Sequence, residues 1–330
     1  MSTKISTVAR KPQTLSDTPA AVFVISQEDI RRSSTNSIPE LLRMAPGLSV
    51  ARIDANKWSV TSRGYSGRFA DDLLVMVDDH TVYSPLFAGT FWETLDLPLE
   101  NVERIEVIRG PSGTIWGANA ANGAIHIITK HKYYFCQSCG PRVNHYARGR
   151  CQYGQQLTKD LPVDIAGFFN DYSHSASESE VAPATIQILD NRHTQIFGFE
   201  IYGQWNAFDR LRFMPSYSHL QVRNRVPLGQ EAESGADPKH QFTLRTQLDL
   251  VRNVELDAFF RHINKLPGLG VASYQTLDLR LAWKPKSNME VSVIGQNLLQ
   301  SHHPEFMPEL IQTMPVQIQR GVFGKFTWRF

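Results

Sequence analysis

The sequence has few cysteines, almost no net charge and no long apolar run. Its three cysteines, Cys136, Cys139 and Cys151, are too few and too closely spaced for a disulfide framework. Lys and Arg number 34 against 32 Asp and Glu among 330 residues, which argues against a chain built mainly to bind nucleic acid. No run approaches the roughly 18 apolar residues of a membrane-spanning helix. A helical membrane protein is therefore excluded, whereas a membrane β-barrel is not.

Catalytic and cofactor motifs are absent as well. The chain has neither the Gly-x-Ser-x-Gly element of lipases nor the Gly-x-Gly-x-x-Gly loop of dinucleotide-binding proteins. We therefore predict a protein that is not an enzyme and needs no cofactor. The first seven residues lack the apolar core of a signal peptide. Taken alone this indicates the cytoplasm, although a removed leader or a different start codon would give the same sequence.

The distribution of apolar, polar and turn residues along the chain changes at residue 130. Residues 17–130 alternate short strands and helices, which predicts an α+β domain with its own core. The apolar run 22–25 leads into Ser26 and Asp29, which have the spacing of a helix-capping pair. Ser37 and Glu40 repeat that spacing before a second helix, which Pro46-Gly47 ends. Further strands are predicted over 73–77, 105–108 and 124–128.

Residues 160–330 have a period of two. Apolar and polar residues alternate, as in a strand with two unlike faces. Short connections with turn residues alternate with long polar ones, over 173–194, 221–240, 263–273 and 298–319. Short turns on one side, long loops on the other and segments of about ten residues are typical of membrane β-barrels. Eight such strands are predicted, over 163–172, 196–205, 211–220, 242–250, 254–262, 274–283, 289–297 and 320–330.

A soluble β-sandwich also alternates and has regular turns, so that interpretation of residues 160–330 stays open. Aromatic residues near the strand ends favour the membrane, because membrane barrels carry aromatic girdles at both interfaces. The residues concerned are Trp205, Trp283, Trp328 and Phe330.

The first half resembles the plug domain of TonB-dependent outer-membrane receptors. The matching stretches occur in the family's order, namely 17–30 (DTPAAVFVISQEDI), 38–48 (IPELLRMAPGL), 62–65 (SRGY), 74–79 (LVMVDD), 102–111 (VERIEVIRGP), 116–119 (WGAN) and 122–130 (NGAIHIITK). A lone Arg-Gly would mean little, but this ordered set is specific. The plug-motif positions implied by the resemblance are Arg63, Gly64, Asp78, Arg104, Glu106, Arg109, Gly110, Pro111, Trp116, Gly117, Asn119, Asn122 and Gly123.

The second half is similar to the C-terminal barrel strands of the same family. Glu200 lies in a Gly-x-Glu strand, Asn297 precedes the last strand, and Phe330 is a terminal aromatic residue of the kind that the barrel-assembly machinery reads. The resemblance implies an α+β plug domain followed by an antiparallel transmembrane-type β-sheet, as a partial or incomplete β-barrel. The predicted divisions are an N-terminal segment (1–16), the plug domain (17–130), an atypical junction (131–159) and barrel strands (160–330).

The resemblance also implies a function, that of a TonB-dependent receptor and transporter in the cell outer membrane. Its solute would be a scarce, bulky nutrient such as a siderophore or cobalamin. The expected partners are TonB, outer-membrane lipid, the barrel-assembly machinery and a small-molecule solute, with no nucleic acid. TonB would pair as a strand with an N-terminal energy-coupling segment. The candidate residues for that segment are Ile5, Ser6, Thr7, Val8 and Ala9.

By the family's layout, aromatic residues of a plug loop are candidates for contact with the solute. These are Tyr83, Phe87, Phe91 and Trp92. An aromatic apex can stack on a siderophore or a corrin ring. The alternative is that the loop packs against the barrel wall.

Plug arginines of the family pair with carboxylates of the barrel lumen. Here Arg104 and Arg109 are expected to face lumen carboxylates, for which Glu200, Glu255 and Glu290 are the candidates. A buried unpaired charge is costly, whereas a paired one roughly breaks even and can act as a switch. Ordinary surface pairing, which contributes little, is the alternative. We expect that reversing Arg109 to Glu loosens the docking of the plug.

The chain departs from the family in the number of its barrel strands. Plugged transporters have about 22 strands, whereas the interior of a barrel of about eight strands is filled by its own side chains. Eight predicted strands therefore cannot close around a plug of this size. The chain is then a truncated receptor, a non-transporting plug-containing binding protein, or an oligomer that completes a larger barrel. An internal deletion or a frameshifted join at 131–159 would account for the missing strands.

Two groups of residues suggest metal binding. Cys136, Cys139, His145 and Cys151 are ligand types that zinc accepts in a tetrahedral site, so a small metal-binding protein is a further alternative. The other interpretation is an accidental junction sequence with free thiols. His302, His303 and Glu305 offer imidazoles and a carboxylate, against the alternative of a solvated outer loop.

Overall fold

The computed structural model describes residues 4–5, 13–14, 21–68, 70, 72–84, 89–95, 97–110, 112–130, 147–148, 162–182, 185–225, 235–307 and 316–328. Ile5 lies in strand β1 (Lys4–Ile5), which pairs antiparallel with β2 (Gln13–Thr14). No helix within the described ranges is long and apolar enough to cross a membrane. Several predicted site residues lie outside the described residues, namely Ser6, Thr7, Val8, Ala9, Phe87, Pro111, Cys136, Cys139, His145, Cys151 and Phe330.

The N-terminal domain, residues 21–130, is built on a five-stranded sheet of order β3-β10-β11-β6-β7. The strands of the whole domain, which include the separate pairs β4–β5 and β8–β9, are β3 (Ala21–Ser26), β4 (Leu48–Arg52), β5 (Trp58–Ser62), β6 (Leu73–Val77), β7 (His80–Thr81), β8 (Tyr83–Ser84), β9 (Gly89–Thr90), β10 (Val102–Arg109) and β11 (Gly123–Thr129). Its α-helices are α1 (Gln27–Arg31), α2 (Ile38–Leu42) and α3 (Gly113–Trp116), with 3₁₀ turns at Trp92–Thr94, Leu99–Asn101 and Ala118–Ala120. The predicted α+β character is confirmed.

The core of the N-terminal domain lies where its sheet meets α1 and α2. Strand β10 pairs antiparallel with β3 and β11, and β11 pairs parallel with β6. Strand β6 is buried at every residue, which explains its continuous apolar run, since a strand covered on both faces need not alternate. Ile105 and Ile125 of the sheet pack in one cluster with Leu41 of α2, all fully buried.

The two predicted helix caps have different outcomes. Ser26 and Asp29 form the predicted capping box, because the Ser26 hydroxyl accepts from the Asp29 N–H and the Asp29 carboxylate accepts from the Ser26 N–H. The second cap is wrong in its chemistry. Helix α2 begins at Ile38, but the Ser37 side chain makes no capping hydrogen bond. Pro39 in the first turn, which has no N–H to satisfy, supports the start of this helix instead.

The C-terminal half is a ten-stranded antiparallel sheet, here called the wall. The strands of the wall follow one another as neighbours in an open path from β12 to β23, with β15 pairing beside β16. They are β12 (Ala147–Arg148), β13 (Val163–Ala182), β14 (Thr185–Gly203), β15 (Trp205–Phe208), β16 (Leu211–Arg225), β17 (His240–Val251), β18 (Val254–Ile263), β19 (Tyr274–Lys286), β20 (Met289–Gln296) and β23 (Gly321–Trp328). A small hairpin of β21 (His302–Pro304) and β22 (Gln317–Gln319) lies between the last two.

Each of the eight predicted strand segments corresponds to a strand of the wall over most of its length, but one predicted long loop is wrong. The range 173–194 was predicted to be a loop because its residues are mostly polar. Strands β13 and β14 instead continue through it as a paired ladder as far as Ala182 and Thr185. Ladder pairing uses backbone groups alone, so a strand can extend beyond the stretch whose side chains alternate.

The two faces of the wall differ in chemistry. One face exposes large apolar side chains, and Trp205, Trp283 and Trp328 are each more than half exposed. The opposite face carries charged residues and contacts the N-terminal domain, so that Glu200 and Arg280 are each 1% exposed. A polar inner face and an apolar outer face are the arrangement of a membrane-type strand.

A buried histidine lies in the sheet of the N-terminal domain. His126 of β11 stands opposite Glu106 of β10 and Met76 of β6, and its Nε2 accepts from the Asp79 N–H at 3.1 Å. Burial lowers the pKa of His126 below its ordinary value of 6.5, although Asp79, Glu106 and Asp78 act in the opposite direction. The folded domain therefore favours the neutral imidazole.

We expect the N-terminal domain to lose stability as the pH falls below about 6.5. The unfolded chain then binds a proton that the folded domain disfavours, so acid shifts the equilibrium toward unfolding by up to about 1.4 kcal/mol per pH unit. His126→Gln, whose amide oxygen can accept from the Asp79 N–H, is expected to flatten this dependence. The measurement is pulse proteolysis in urea at several pH values. His80→Gln, at an exposed position, is the control; equal pH dependence in all three chains would contradict the role of His126.

Candidate functional site

The N-terminal domain is joined to the wall by a buried ion-pair cluster of Arg63, Arg109 and Glu200. Arg63 follows β5, Arg109 ends β10, and Glu200 points inward from β14. Arg109 donates to Glu200 Oε2 at 2.6 Å and Arg63 Nε donates to Glu200 Oε1 at 3.1 Å. Arg109 also donates to Asp164 of β13 at 2.9 Å. Each of these three side chains is 1% exposed, and the carboxylates of Glu200 and Asp164 together balance the charge of the two guanidinium groups.

The backbone near the cluster is shaped to admit the guanidinium groups. A Cβ at Gly110, where φ is +105°, would stand 2.4 Å from Arg63 Nη1. Arg63 itself has φ of 59°, which costs an ordinary residue about 1–2 kcal/mol. Its guanidinium lies 4.2 Å from the ring centroid of Phe168 on the wall, and this contact helps to hold it. The missing Cβ of Gly110 and the strained backbone of Arg63 thus both allow the Arg63 guanidinium to reach Glu200.

A second charged cluster joins α1 to the wall beside the short turns. Arg31 donates to Glu255 at 2.9 Å and to Glu290 at 2.8 Å, and Arg280 of the wall donates to both of these carboxylates. Next to it, Arg32 Nε donates to Asp257 at 2.8 Å. Glu255 and Glu290 are therefore partners of Arg31 and Arg280 and do not pair with Arg104 or Arg109.

Arg104 was expected to pair with a carboxylate of the wall, but it pairs with Glu106 inside the N-terminal domain. The Arg104 Nε donates to Glu106 at 2.8 Å, and Arg104 also contacts the exposed Glu103. Glu106 is fully buried in the domain's own sheet. For Arg104 the prediction of a wall partner is wrong, because period-two alternation identifies a face but does not say which neighbour covers it.

The remaining motif positions shape or hold turns. Asp78 accepts from the Thr129 N–H at 2.8 Å and closes the turn after β6, and the Tyr172 hydroxyl of the wall donates to Asn122. Gly64, Gly117 and Gly123 have positive φ. Trp116 and Asn119 lie on α3 and the following 3₁₀ turn. Asn297, with φ of 52°, donates from its backbone to Asp278 at 2.8 Å.

The three aromatic candidates for solute contact that the structure describes, Tyr83, Phe91 and Trp92, differ in burial. Trp92 is 5% exposed and packs in the core of the N-terminal domain. Tyr83 is half-buried in the short hairpin β8–β9, where it packs beside a second apolar cluster. Phe91 is half-buried immediately before the Trp92 turn. For Trp92 the packing alternative describes the observed environment, because it lies in the core cluster of the N-terminal domain, against which Tyr202 of the wall also packs.

The suggested metal site at the β21–β22 hairpin is wrong. Glu305 is fully buried and accepts from Arg43 at 2.5 Å, from Arg261 at 3.3 Å and from the Arg52 N–H at 2.9 Å. His302 is exposed and hydrogen bonds to Ser301. Among the described residues there is no group of three metal-ligating side chains. Glu305 instead ties the last long loop to both the N-terminal domain and the wall.

Several docking residues were missed. Three of them lie at the ends of α1 and α2, where the matching stretches do not single them out (Arg31, Arg32 and Arg43). The missed residues of the wall strands do carry a signal. Arg245, Asp257 and Arg280 occupy the phase of their strands that is opposite to the apolar residues. Charges on the inward phase of otherwise alternating strands indicate a covered polar face. The missed residues are Arg31, Arg32, Arg43, Arg245, Asp257, Arg280 and Glu305.

Known proteins match this chain most specifically over the N-terminal domain. Residues 14–124 match the family model described as the TonB-dependent Receptor Plug Domain. The vitamin B12 transporter BtuB of Vibrio cholerae serotype O1 is 33% identical over 131 residues, which are 39% of this chain and 20% of that protein. The chain thus matches about a fifth of the length of this curated relative.

Solved structures with a similarity to the chain include two outer-membrane receptors. The ferripyoverdine receptor of Pseudomonas aeruginosa is 14% identical, with 89% of this chain and 44% of that chain covered and a TM-score of 0.34. The alcaligin receptor FauA from Bordetella pertussis is 12% identical, with 89% and 65% covered and a TM-score of 0.32.

These findings identify residues 14–124 as similar to the plug domain of TonB-dependent receptors, and the resemblance seen in the sequence is confirmed. The N-terminal domain is a TonB-dependent receptor plug domain, and an antiparallel sheet follows it.

Proposed function

We propose that the chain acts in the outer membrane as a TonB-dependent receptor for a scarce, bulky nutrient such as a siderophore or cobalamin. The observation that supports this most is the buried cluster of Arg63, Arg109 and Glu200, which docks the plug domain on the charged face of the wall. Paired buried charges add little net stability but are costly to separate. Such a contact holds the plug domain on the wall at rest. It breaks when an external force on the plug domain separates all the paired charges at once.

The proposed partners follow from the surfaces of the chain. Outer-membrane lipid would cover the apolar face of the wall, where Trp205, Trp283 and Trp328 are exposed. TonB would pair with the segment from Ile5 to Ala9 as an added strand. The barrel-assembly machinery would read the C-terminal segment 320–330 with its terminal aromatic residue Phe330. In this proposal the chain performs no chemistry on its solute.

A second candidate function is that of a plug-containing binding protein that does not transport. The observation that favours it is the open path of the wall, whose described terminal strands β12 and β23 do not pair with each other. An unpaired strand edge in lipid leaves backbone groups unsatisfied, which is costly. Such a chain needs further strands from another copy or another partner before it can enclose a pore.

We test the proposed function with the full chain produced in a Gram-negative host. It is expected to sediment with the outer membrane and to form a crosslink to TonB from a photoreactive residue placed at Val8. Ile5→Pro is expected to abolish the crosslink, because proline cannot complete a strand ladder. Ser16→Pro, outside the segment, is the matched control. Outer-membrane location without a crosslink would leave the non-transporting protein as the better description.

A further inference from the structure

A pair of histidines occupies the end of the ladder between β16 and β17. His219 of β16 stands directly opposite His240, the first residue of β17. Their Nδ1 atoms are 3.4 Å apart and their ring centroids are 4.7 Å apart. Both side chains are half-buried. Since two neighbouring strands hold the rings side by side, a ligand that contacts both of them meets a preformed arrangement.

The pair lies on the outer face of the wall. Phe199 of β14, which stands opposite His219, is 39% exposed. Glu200 and Ser218, one residue further along and one residue back on the same two strands, stand opposite each other and are buried on the face that meets the plug domain. Successive side chains of a strand point to opposite faces. The histidines therefore point away from the plug domain, and anything bound to them is not a solute held between the plug domain and the wall.

Hydrogen bonding between the two imidazoles is weak. The Tyr217 hydroxyl lies 2.7 Å from His240 Nδ1, which is a good hydrogen-bond distance. An imidazole nitrogen carries either one hydrogen or one lone pair, so it forms one good hydrogen bond. The contact of His240 Nδ1 with His219 Nδ1 is longer, at 3.4 Å. The two rings are thus brought together without satisfying each other.

The distance between the two nitrogens is that of ligands sharing a metal ion. Nitrogens bound to zinc at 2.0–2.1 Å in a tetrahedral site are about 3.3–3.4 Å apart. We propose that His219 and His240 chelate a divalent transition-metal ion of the class that prefers imidazole, such as Zn²⁺ or Cu²⁺. No third imidazole, thiolate or carboxylate joins the pair in the part of the chain that the structure describes, so water completes the coordination. The Tyr217 hydroxyl is close enough to hydrogen bond to such a water.

The bound ion fastens two strands of the wall together. It bridges β16 and β17 at the end of their ladder, where the chain enters a long connection and not a short turn. An ion that binds the folded wall but not the separated strands stabilises the paired state by mass action. This role goes beyond the proposed receptor function and does not depend on it, because the ion is a resident of the wall and is not transported.

The experiment titrates the full chain, without a histidine tag, with Cu²⁺ and with Zn²⁺ in detergent. Every chain tested carries Cys136→Ser, Cys139→Ser and Cys151→Ser, so that no thiol can hold the ion. We expect one ion per chain by calorimetry, with a dissociation constant of about 1–100 μM, because two protein ligands hold an ion less tightly than four. Cu²⁺ is expected to bind more tightly than Zn²⁺. The electron paramagnetic resonance spectrum of the Cu²⁺ form is expected to show coupling to two imidazole nitrogens.

Substitutions locate the ion. His219→Gln and His240→Gln are each expected to weaken the binding of Cu²⁺ at least about tenfold, because each removes one of the two ligands. His302→Gln removes an exposed imidazole of the β21–β22 hairpin and is the matched control. It is expected to bind Cu²⁺ as the parent chain does.

Three results would overturn the proposal. Coupling to fewer than two nitrogens in the parent chain, a measurement that needs no variant, would exclude the chelate. Unchanged affinity in both His219→Gln and His240→Gln, or an equal loss in His302→Gln, would place the ion elsewhere. Lack of saturable binding of either ion below about 1 mM would mean that the two imidazoles only pack against each other. The TonB crosslink is measured independently, so its failure would overturn the proposed function and leave the metal site standing.

Discussion

Reversing Arg109 to Glu is expected to release the plug domain from the wall, at a cost of at least about 3–5 kcal/mol of docking free energy. The new carboxylate would face Glu200 and Asp164, which now accept from Arg109 at 2.6 and 2.9 Å. Removing one partner of a buried pair already leaves an uncompensated charge, and reversal adds repulsion between like charges. Solvent screening offers little relief, because Arg109 is 1% exposed.

The measurement for Arg109→Glu is limited proteolysis of the folded full chain, with cleavage within 21–130 followed by mass spectrometry. The parent chain is expected to be protected and the variant to be cut rapidly. Lys130→Glu makes the same charge change at an exposed residue of the same domain and should remain protected. Equal protection of parent and variant would show that the ion-pair cluster does not hold the plug domain in place.

The second large effect is expected at Gly123, where alanine should destabilise the plug domain by about 2–5 kcal/mol. Gly123 has φ of +149°, and a Cβ there would stand 2.3 Å from the Ile108 carbonyl oxygen of the paired strand. Backbone cannot move aside as a flexible side chain can. The β10–β11 ladder would have to shift, and this ladder carries both Arg109 and the core residues Ile105 and Ile125.

Gly113→Ala is the matched control, because a Cβ at Gly113 meets nothing within 4 Å and Gly113 is not among the glycines with positive φ. Chemical denaturation of both variants, followed by hydrogen exchange of the β10 and β11 amides, separates global from local loss. If Gly123→Ala unfolds at the same denaturant concentration as Gly113→Ala, the close approach at Ile108 does not limit the fold.

The two variants test different links between the plug domain and the wall. Gly123→Ala disturbs the sheet on which Arg109 is placed, so loss of docking there follows loss of folding. Arg109→Glu leaves the ladder intact and removes the contact itself. If a variant loses docking while its β10 and β11 amides stay protected from hydrogen exchange, the plug domain folds without the wall. That result would also explain how a plug domain can leave its resting place without unfolding.

Much of the local structure follows from short-range physical chemistry and was predictable from the sequence. The continuous apolar run 73–77 became a fully buried strand, since both of its faces are covered. Period-two alternation located the eight segments of the wall, because a strand with one apolar and one polar face must alternate. The Ser26–Asp29 spacing predicted its capping box because both hydrogen bonds are local.

The extent of pairing and the choice of partners were decided only by the tertiary structure. Strands β13 and β14 continue through a polar stretch because the hydrogen bonds of a ladder join backbone groups only and do not depend on side-chain polarity. Arg104 and Arg109 lie on one strand, yet Arg104 pairs with Glu106 within the N-terminal domain, whereas Arg109 pairs with Glu200 of the wall. Electrostatic pairing depends on distances between residues that lie far apart in the chain. The sequence by itself therefore determined the strands and their faces, and the packing of the plug domain against the wall decided which charges meet.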